Sequence, residues 1–508
     1  MSAAQPEKEK INWDQYSLAL ILIYAFLQVL RWRMLPQFMD IYYHILTAWG
    51  FIQAGGYVGW DFWQYAPMGR VHIYPPFFHI ILAFLMKCGA DAVILAKFFE
   101  TVTPLLFLIV LWSFVRRNFS RQMAFLAIVA FSSSFSFYLA LLNHIPASWA
   151  GILGMLALDQ FLRKRLVSSV ILLTLSFYTH IGIPWCFGLA ILFYGLWDRE
   201  SRILALLLFF STLALSAPML FKELSGLTHI SALGFNLQEK NACQFKIAEY
   251  LLAAYGLFLS IKKGGRYRIF FAFFLASLIF LLYPYRFFSA EGYLAVLLFS
   301  SLALSELFDF FTARIRCQKC LVLFIFVLFG IFSPTLSMNK TGSGEGVTWR
   351  IKSFDSAFLG MLFAKGDSIW LDREYSQAAQ IIKKNSDTWD IVYSRLNPAG
   401  MALSAVSARP TAGALFTEIG PSRDFDRFAS SKIIIFASDE ERGFLEAVTL
   451  KYSLEKIGET EAFILYRNPG CRVKAAPLKA SVPFAVIALF ALGALLVLLK
   501  NRHKIYLT

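Results

Sequence analysis

Residues 39–79 contain many side chains suited to proton transfer and phosphate binding, set among aromatic residues and prolines. A carboxylate can deprotonate or position a hydroxyl group, and a guanidinium group can pair with phosphate through two hydrogen bonds. Imidazoles can bind phosphate or, together with a carboxylate, a divalent ion. The residues concerned are Asp40, His44, Asp61, Arg70, His72, Tyr74 and His79.

The spacing within this stretch brings some of these groups together and separates others. Asp40 and His44 are four residues apart, so they share one face if the segment is helical. His72 and His79 are seven apart, but two adjacent prolines between them interrupt a shared helical face. A different interpretation is an interfacial loop whose Trp and Tyr side chains lie at the level of the lipid headgroups.

The elements that must position these groups are membrane helices. Of the 508 residues, 58% are hydrophobic and 16% are charged, against about 25% charged in a typical soluble domain. The net charge of +15 comes largely from Lys and Arg clusters between apolar runs, which is typical of topology signals. Such clusters also favour anionic lipids as partners, and we expect no nucleic acid. The composition therefore predicts an all-α polytopic membrane protein.

The apolar runs and basic clusters predict about 12 transmembrane helices with both termini in the cytoplasm. The first helix covers 16–30 and the last covers 482–499. Residues 76–87 are expected to form a juxtamembrane or re-entrant helix, because a full crossing would place the arginines at 116–121 outside. The predicted units are a transmembrane domain, 1–336, with its first outer loop at 31–92, an extracytoplasmic α/β domain, 337–480, and a C-terminal helix with a basic tail, 481–508.

The predicted α/β domain begins with a flexible glycine-rich connector at 342–346. No glycine-rich phosphate loop follows its strands, so we assign it no nucleotide site. Structural capping is the simplest role, and binding an acceptor or covering a cavity are alternatives. Its predicted strands are 368–371, 390–394, 432–437 and 462–467, and a helix is predicted at 444–451.

This topology has a consequence for the histidines. Six of the seven fall at the outer ends of helices or in outer loops, where Arg286 also lies. Each histidine alone fits a structural role better than a functional one. Ionisable groups gathered at one end of a bundle, beside short and broken helices, nevertheless indicate a polar cavity open to that side. The six are His44, His72, His79, His144, His180 and His229.

A cavity that faces away from the cytoplasm has no supply of nucleotide sugars, so a transferase there would use a lipid-phosphate donor from the bilayer. We predict Asp40, Asp61 and His44 as catalytic residues. Asp40 and His144 are candidate ligands for a divalent metal such as Mg²⁺ or Mn²⁺. The predicted substrate-binding residues are Arg70, His72, Tyr74, His79, His144 and Arg286.

The segments MDIYYHILTAW and WDFWQYAPMGRVHIYPPFFH resemble the first outer loop of the C superfamily of polytopic glycosyltransferases (GT-C). This superfamily includes oligosaccharyltransferase catalytic subunits, protein O-mannosyltransferases and aminoarabinose transferases. The resemblance implies that Asp40 is the catalytic or metal-binding aspartate of the first loop and that Arg286 contacts phosphate. It also implies a polyprenyl-phosphate-linked sugar as donor and a site on the outer face of the membrane.

Two departures separate this chain from oligosaccharyltransferases. Asn143 and His144 stand where those enzymes have an acidic second motif, and the C-terminal region has no WWDYG motif. These departures argue against the metal site of those enzymes and against asparagine as acceptor. The sequence therefore predicts a multi-pass glycosyltransferase of the plasma membrane with a glycan, lipid or protein acceptor. The alternatives are a transporter or flippase of lipid-linked sugars and a noncatalytic assembly protein.

Overall fold

The computed structural model describes residues 11–36, 39–142, 144–227, 243–282, 284–313, 317–340, 347–363, 372–396, 398–415 and 419–503. The chain is mostly helical, with small sheets. The main helices are α1 (Trp13–Leu30), α2 (Asp40–Ala54), α3 (Phe77–Lys87), α4 (Ala92–Asn118), α5 (Arg121–Ser132), α6 (Ile145–Leu162), α7 (Leu166–Phe177), α8 (Ile183–Trp197), α9 (Arg202–Leu227), α10 (Ile247–Lys263), α11 (Arg268–Ser277), α12 (Pro284–Ser289), α13 (Tyr293–Thr312), α14 (Gln318–Val327), α15 (Ala357–Phe363), α16 (Asp372–Lys384), α17 (Ala399–Ser407), α18 (Arg442–Tyr452) and α19 (Phe484–His503). The strands are β1 (Gly56–Tyr57), β2 (Trp60–Asp61), β3 (Arg70–Val71), β4 (Cys243–Lys246), β5 (Thr335–Lys340), β6 (Val347–Lys352), β7 (Val392–Ser394), β8 (Ile433–Ala437), β9 (Glu455–Glu459), β10 (Phe463–Arg467) and β11 (Val482–Pro483).

Several helices form a membrane bundle. Within the described residues, five are long and apolar enough to cross a membrane, and shorter apolar helices accompany them. These five account for part of the 12 predicted crossings, and the full count stays a prediction. The five are Trp13–Leu30, Ala92–Asn118, Ile145–Leu162, Arg202–Gly226 and Arg286–Thr312.

Helices α5 and α7 are short at the end of the bundle that lies beneath the first outer loop. Helix α7 has 12 residues and is therefore about 18 Å long, against a hydrocarbon core of about 30 Å. Helix α5 ends at Ser132 and the chain continues as a short helical turn and a π-helix at Tyr138–Leu142. The first outer loop lies over this end, where the Phe77 N–H at the start of α3 donates to the Tyr178 carbonyl after α7.

The first outer loop is a packed unit of its own. Helices α2 and α3 pack side by side, and their shared core includes the fully buried Phe51, Trp63 and Phe78. Gly55 ends α2 with a φ of +81°, a conformation that glycine adopts without a steric cost. The helix predicted at 76–87 is present as α3, and its juxtamembrane or re-entrant placement stays a prediction.

The C-terminal region contains a four-stranded sheet in the order β7-β8-β10-β9, with β7 and β8 parallel and the other pairs antiparallel. Three predicted strands, at 390–394, 432–437 and 462–467, are confirmed as β7, β8 and β10. The predicted helix is α18. Strand β9 was not predicted, because its sequence, EKIGE, is mostly exposed and polar. The predicted connector at 342–346 and strand at 368–371 lie outside the described residues.

This sheet region lies against the first outer loop. Trp63 and Thr411 are joined through their backbones, with the Thr411 N–H donating to the Trp63 carbonyl at 2.9 Å. The Trp49 indole N–H donates to the Ala405 carbonyl in α17 at 3.0 Å. Strand β11 pairs with β1 immediately before the last helix. The C-terminal region therefore covers the loop that carries most of the predicted site.

The opposite end of the bundle collects basic residues. Asp14 at the start of α1 binds Arg116 at the end of α4, and Asp159 near the end of α6 binds Arg117 at 3.2 Å and Arg163 at 3.4 Å. These arginines belong to the clusters that predict cytoplasmic turns. The structure therefore places the clusters at one end and the first outer loop at the other.

Candidate functional site

Asp40 and His144 meet at the open edge of the first outer loop. Asp40 lies in the first turn of α2, and His144 immediately precedes α6, in which Pro146 is the second residue. The His144 Nε2 lies 3.0 Å from the Asp40 Oδ2, and the two side chains are 18% and 22% exposed. A carboxylate held by an imidazole and open to solvent can accept a proton from a bound hydroxyl group.

Behind this pair lies a buried group of histidines. The His44 Nδ1 and the His79 Nε2 are 2.8 Å apart, so one nitrogen donates its hydrogen to the other. The His72 ring lies 5.4 Å from the His79 ring. Burial and then the neighbouring imidazoles lower the pKa of His44 well below its usual 6.5, and burial followed by nearby cations does the same for His72. Both are therefore neutral at physiological pH.

Tyr74 and His180 connect the buried histidines to the open pair. The Tyr74 ring lies 5.1 Å from His44 and 6.2 Å from His180, and the His180 ring lies 6.4 Å from His144. His180 Nδ1 accepts hydrogen bonds from the Gly182 and Ile183 N–H groups at the start of α8. Its position at a helix start explains why the chain places a histidine at this break.

Arg286 approaches the same region from another part of the chain. It lies in α12, is partly exposed, and binds Glu291, whose side chain is almost fully buried. Burial raises the pKa of Tyr74, the charges of Asp40 and Glu291 raise it further, and Arg286 opposes them. Tyr74 therefore lies within electrostatic reach of all three charged groups. Glu291 was not predicted, and its only signal in the sequence is a carboxylate beside an apolar helix.

Asp61 and Arg70 are placed differently from the prediction. The Arg70 Nε lies 3.7 Å from the Asp61 Oδ2, and both side chains are 3% exposed. The Arg70 guanidinium also donates to Gln64 at 2.8 Å and to the Ile419 carbonyl at 3.2 Å. Burial raises the pKa of Asp61, and Arg70 counteracts this effect. A guanidinium bound in this way is not available to phosphate, so the pair fastens the first outer loop to the C-terminal region.

Asp40 and His144, the predicted metal ligands, are the two possible ligands that meet at the open edge. Among the residues that the structure describes, no three His, Cys, Asp or Glu side chains are arranged to hold a metal ion. Asp40 and His144 supply one carboxylate and one imidazole, and Mg²⁺ commonly binds one or two carboxylates with waters and substrate phosphates as its other ligands. The assignment of Asp40 and His144 as metal ligands therefore stays a prediction. Asn143 and His229 lie outside the described residues.

The chain resembles known proteins in its three-dimensional structure. No protein-family model and no curated protein sequence matches the chain. The Archaeoglobus fulgidus oligosaccharyltransferase AglB, in complex with an inhibitory peptide and a dolichol-phosphate, is 12% identical with a TM-score of 0.55, covering 90% of this chain and 74% of that one. The Archaeoglobus fulgidus oligosaccharyltransferase in complex with Zn and sulfate is 13% identical with a TM-score of 0.54, covering 88% and 73%.

A bacterial structure extends this similarity. ArnT from Cupriavidus metallidurans bound to undecaprenyl phosphate is 12% identical with a TM-score of 0.50, covering 90% of this chain and 98% of that one. AglB and ArnT are both GT-C glycosyltransferases. The resemblance predicted from the first outer loop is thus confirmed for the fold. The chain has the fold of the GT-C glycosyltransferases.

Proposed function

We propose that the chain is an integral membrane glycosyltransferase that transfers a sugar from a polyprenyl-phosphate-linked donor to an extracytoplasmic glycan, lipid or protein. The observation that carries the proposal is the Asp40 and His144 pair, which is open to solvent at the end of the bundle where the histidines gather. The fold adds support, because structures with this fold hold dolichol-phosphate or undecaprenyl phosphate.

In the proposed reaction, an acceptor hydroxyl attacks the anomeric carbon of the donor sugar. The new bond forms between the acceptor oxygen and that carbon, while the bond from the carbon to the phosphate oxygen breaks. Asp40 takes the hydroxyl proton, and His144 orients the carboxylate through its Nε2. The polyprenyl phosphate leaves as an anion, which requires a cation nearby.

Arg286 is the cation that we assign to the leaving phosphate. Its side chain is partly exposed, and Glu291 holds one of its nitrogens from the buried side. A guanidinium has five N–H donors, so one held by a carboxylate can still donate to a phosphate. Tyr74, His44 and His79 form the buried wall behind the reacting groups, and their neutrality lets them hydrogen-bond without competing for the proton.

We place this end of the bundle outside the plasma membrane, since the basic clusters occupy the other end. Cys88 is exposed after α3, on the side of the proposed site. Because Cys243 in β4 lies at the same end of the bundle, the test uses a Cys243→Ser background. A membrane-impermeant maleimide applied to intact cells should label the Cys243→Ser protein and not a Cys88→Ser/Cys243→Ser variant. Labelling that depends on Cys88 only after the membrane is permeabilised would place the site in the cytoplasm.

The transferase activity is tested with purified protein in liposomes that contain a panel of polyprenyl-phosphate-linked sugars. The wild type should release free polyprenyl phosphate from at least one of them when acceptor-containing membrane extract is added. Arg286→Gln should raise the donor concentration that gives half-maximal release, while the matched control Arg373→Gln, which changes an exposed residue of α16, should not. A folded wild type that consumes none of these donors would remove the proposal.

A further inference from the structure

The sheet formed by β4, β5 and β6 has two chemically different faces. In an antiparallel sheet, residues opposite each other point to the same side. Leu336 pairs with Phe245 on one side and with Ile351 on the other, and Met338 pairs with Trp349, so these residues make one apolar face. On the other face, Thr335 pairs with Lys246 and Lys352, and Ser337 pairs with Arg350.

The polar face is the one attached to the protein. Asp355 lies at its centre, with the Lys246 Nζ at 3.2 Å, the Lys352 Nζ at 2.8 Å and the Thr335 hydroxyl at 2.6 Å from its carboxylate. Lys246 also donates to the Ser133 carbonyl at the end of α5. Lys246, Thr335 and Asp355 are almost fully buried. Ion pairs and hydrogen bonds therefore hold this face of the sheet on the bundle.

The part of the apolar face formed by β6 points away from the protein, whereas Phe245 in β4 packs against Phe288, with 4.7 Å between the ring centres. Trp349 and Ile351 are 55% and 70% exposed. A sheet that covers a water-soluble protein turns its apolar face inward and its polar face outward. Here the order is reversed, and burying an apolar side chain of this size is worth about 1.5–3 kcal/mol. An arrangement that leaves both side chains in water would lose this stabilisation, whereas contact with lipid chains would keep it.

The exposed apolar surface continues from a membrane helix. Leu323 and Phe324 in α14 are exposed, and so is Phe332, which ends the π-helix that follows α14. The Phe332 ring lies 5.3 Å from that of Phe354, which is more than half exposed, as is Phe363 at the end of α15. The Phe332 and Phe354 contact therefore joins the exposed apolar side of α14 to the segment between β6 and α15.

A cavity of about 530 Å³ opens into this surface. Its volume falls in the range of pockets that hold a small ligand. Phe354 and Phe363 belong both to its lining and to the exposed surface. The other lining residues are Phe135, Ile331, Lys352, Asp355, Ser356, Leu359 and Gly360.

We propose that the apolar face of the β4–β6 sheet, together with Phe354 and Phe363, is a membrane-docking surface that lies against phospholipid chains at the end of the bundle that carries the candidate site. Arg350, exposed on the opposite face of the edge strand β6, extends in this proposal toward the lipid phosphates, while Lys352 stays bound to Asp355. Residues 335–340 and 347–363, most of which the sequence assigned to the domain at 337–480, then belong to the membrane part of the protein.

The test uses the full chain in phospholipid nanodiscs. A nitroxide spin label is attached through a genetically encoded keto amino acid, which leaves the native cysteines in place, at position 351 and, as matched control, at position 350. Collisions with oxygen, which concentrates in lipid, and with a water-soluble nickel chelate are then measured. We expect the ratio of oxygen to nickel collisions to be several-fold higher at Ile351 than at Arg350, and a label at Trp349 to agree with the label at Ile351.

The label at 351 decides the outcome. More collisions with the nickel chelate than with oxygen would mean that the face meets water, and the proposal would be overturned. Exclusion of both reagents would mean that protein covers the face, which would equally overturn it. Oxygen accessibility at 351 supports docking whatever the transferase assays show, so the two proposals fail independently.

Discussion

Replacing Asp61 or Arg70 distinguishes the structural role that the fold gives them from the catalytic and phosphate-binding roles predicted from sequence. Asp61→Asn keeps an oxygen that can accept the Gln64 N–H but removes the charge opposite Arg70. Removing one partner of a buried ion pair costs about 3–5 kcal/mol, because the other charge stays buried. Since Arg70 keeps its bonds to Gln64 and Ile419, we expect a loss near the lower limit, about 3 kcal/mol.

Arg70→Gln should cost more than Asp61→Asn, because it removes the ion pair and the two other hydrogen bonds together. The double variant Asp61→Asn/Arg70→Gln should lose less than the sum of the single losses, with a coupling of about 1–3 kcal/mol. The assay is unfolding of the purified protein in mixed micelles as the fraction of denaturing detergent rises, with turnover measured on the folded fraction of each variant.

Turnover per folded molecule should stay within a few-fold of the wild type in all three variants. Additive losses of unfolding free energy would contradict the buried pair. An Asp61→Asn variant with wild-type stability and a large loss of turnover would refute the structural assignment and return Asp61 to the catalytic residues. Asp424→Asn, which removes an exposed carboxylate in the C-terminal region, is the matched control for loss of charge.

Two further predictions concern charge and burial elsewhere. Asp355→Asn leaves Lys246 buried without its counterion and should lower the free energy of unfolding by about 3–5 kcal/mol, whereas Lys352→Gln, which removes the exposed partner, should cost under about 1 kcal/mol, both measured by the same unfolding assay. Equal losses would contradict the different burial of the two lysines. Burial keeps the pKa of His44 in the folded protein far below its value in the unfolded chain, so the unfolded chain takes up a proton at this residue as the pH falls below about 6.5 and the folded protein does not. The free energy of unfolding should therefore decrease as the pH falls, and His44→Phe should reduce the slope of this free energy against pH by up to about 1.4 kcal/mol per pH unit. An unchanged slope in unfolding measured from pH 7.5 to 5.5 would show that His44 does not stay neutral in the folded protein.

The helices and the end of the bundle that carries the site could be predicted because they depend on local patterns. Long apolar runs predicted α1 and α19 closely, and three strands of the C-terminal sheet followed from short β-rich runs. The histidines met at one end because alternating crossings bring the starts and ends of successive helices together. His144 and His180, for example, lie 36 residues apart and their rings are 6.4 Å apart.

The partners of the charged residues could not be predicted, because they depend on contacts between distant parts of the chain. Nothing in the sequence near Arg70 indicates that the Ile419 carbonyl accepts a hydrogen bond from it. The position of Asp61, nine residues before Arg70, does not by itself predict an ion pair between them. The β4–β6 sheet was missed for the same reason, since β4 and β5 are separated by about 90 residues and pair only after several helices have packed. The inverted faces of that sheet become visible only when burial is known.

The central claim, that Asp40 is the group that takes the acceptor proton, is tested most directly by transfer from donor already bound to the enzyme. Asp40→Asn should bind a polyprenyl-phosphate-linked sugar as tightly as the wild type and release polyprenyl phosphate about 10²-fold more slowly or worse, because a positioned general base typically contributes 10²–10⁴-fold. The control Asp424→Asn should transfer at the wild-type rate. Release by folded Asp40→Asn within two-fold of the wild type would contradict the account.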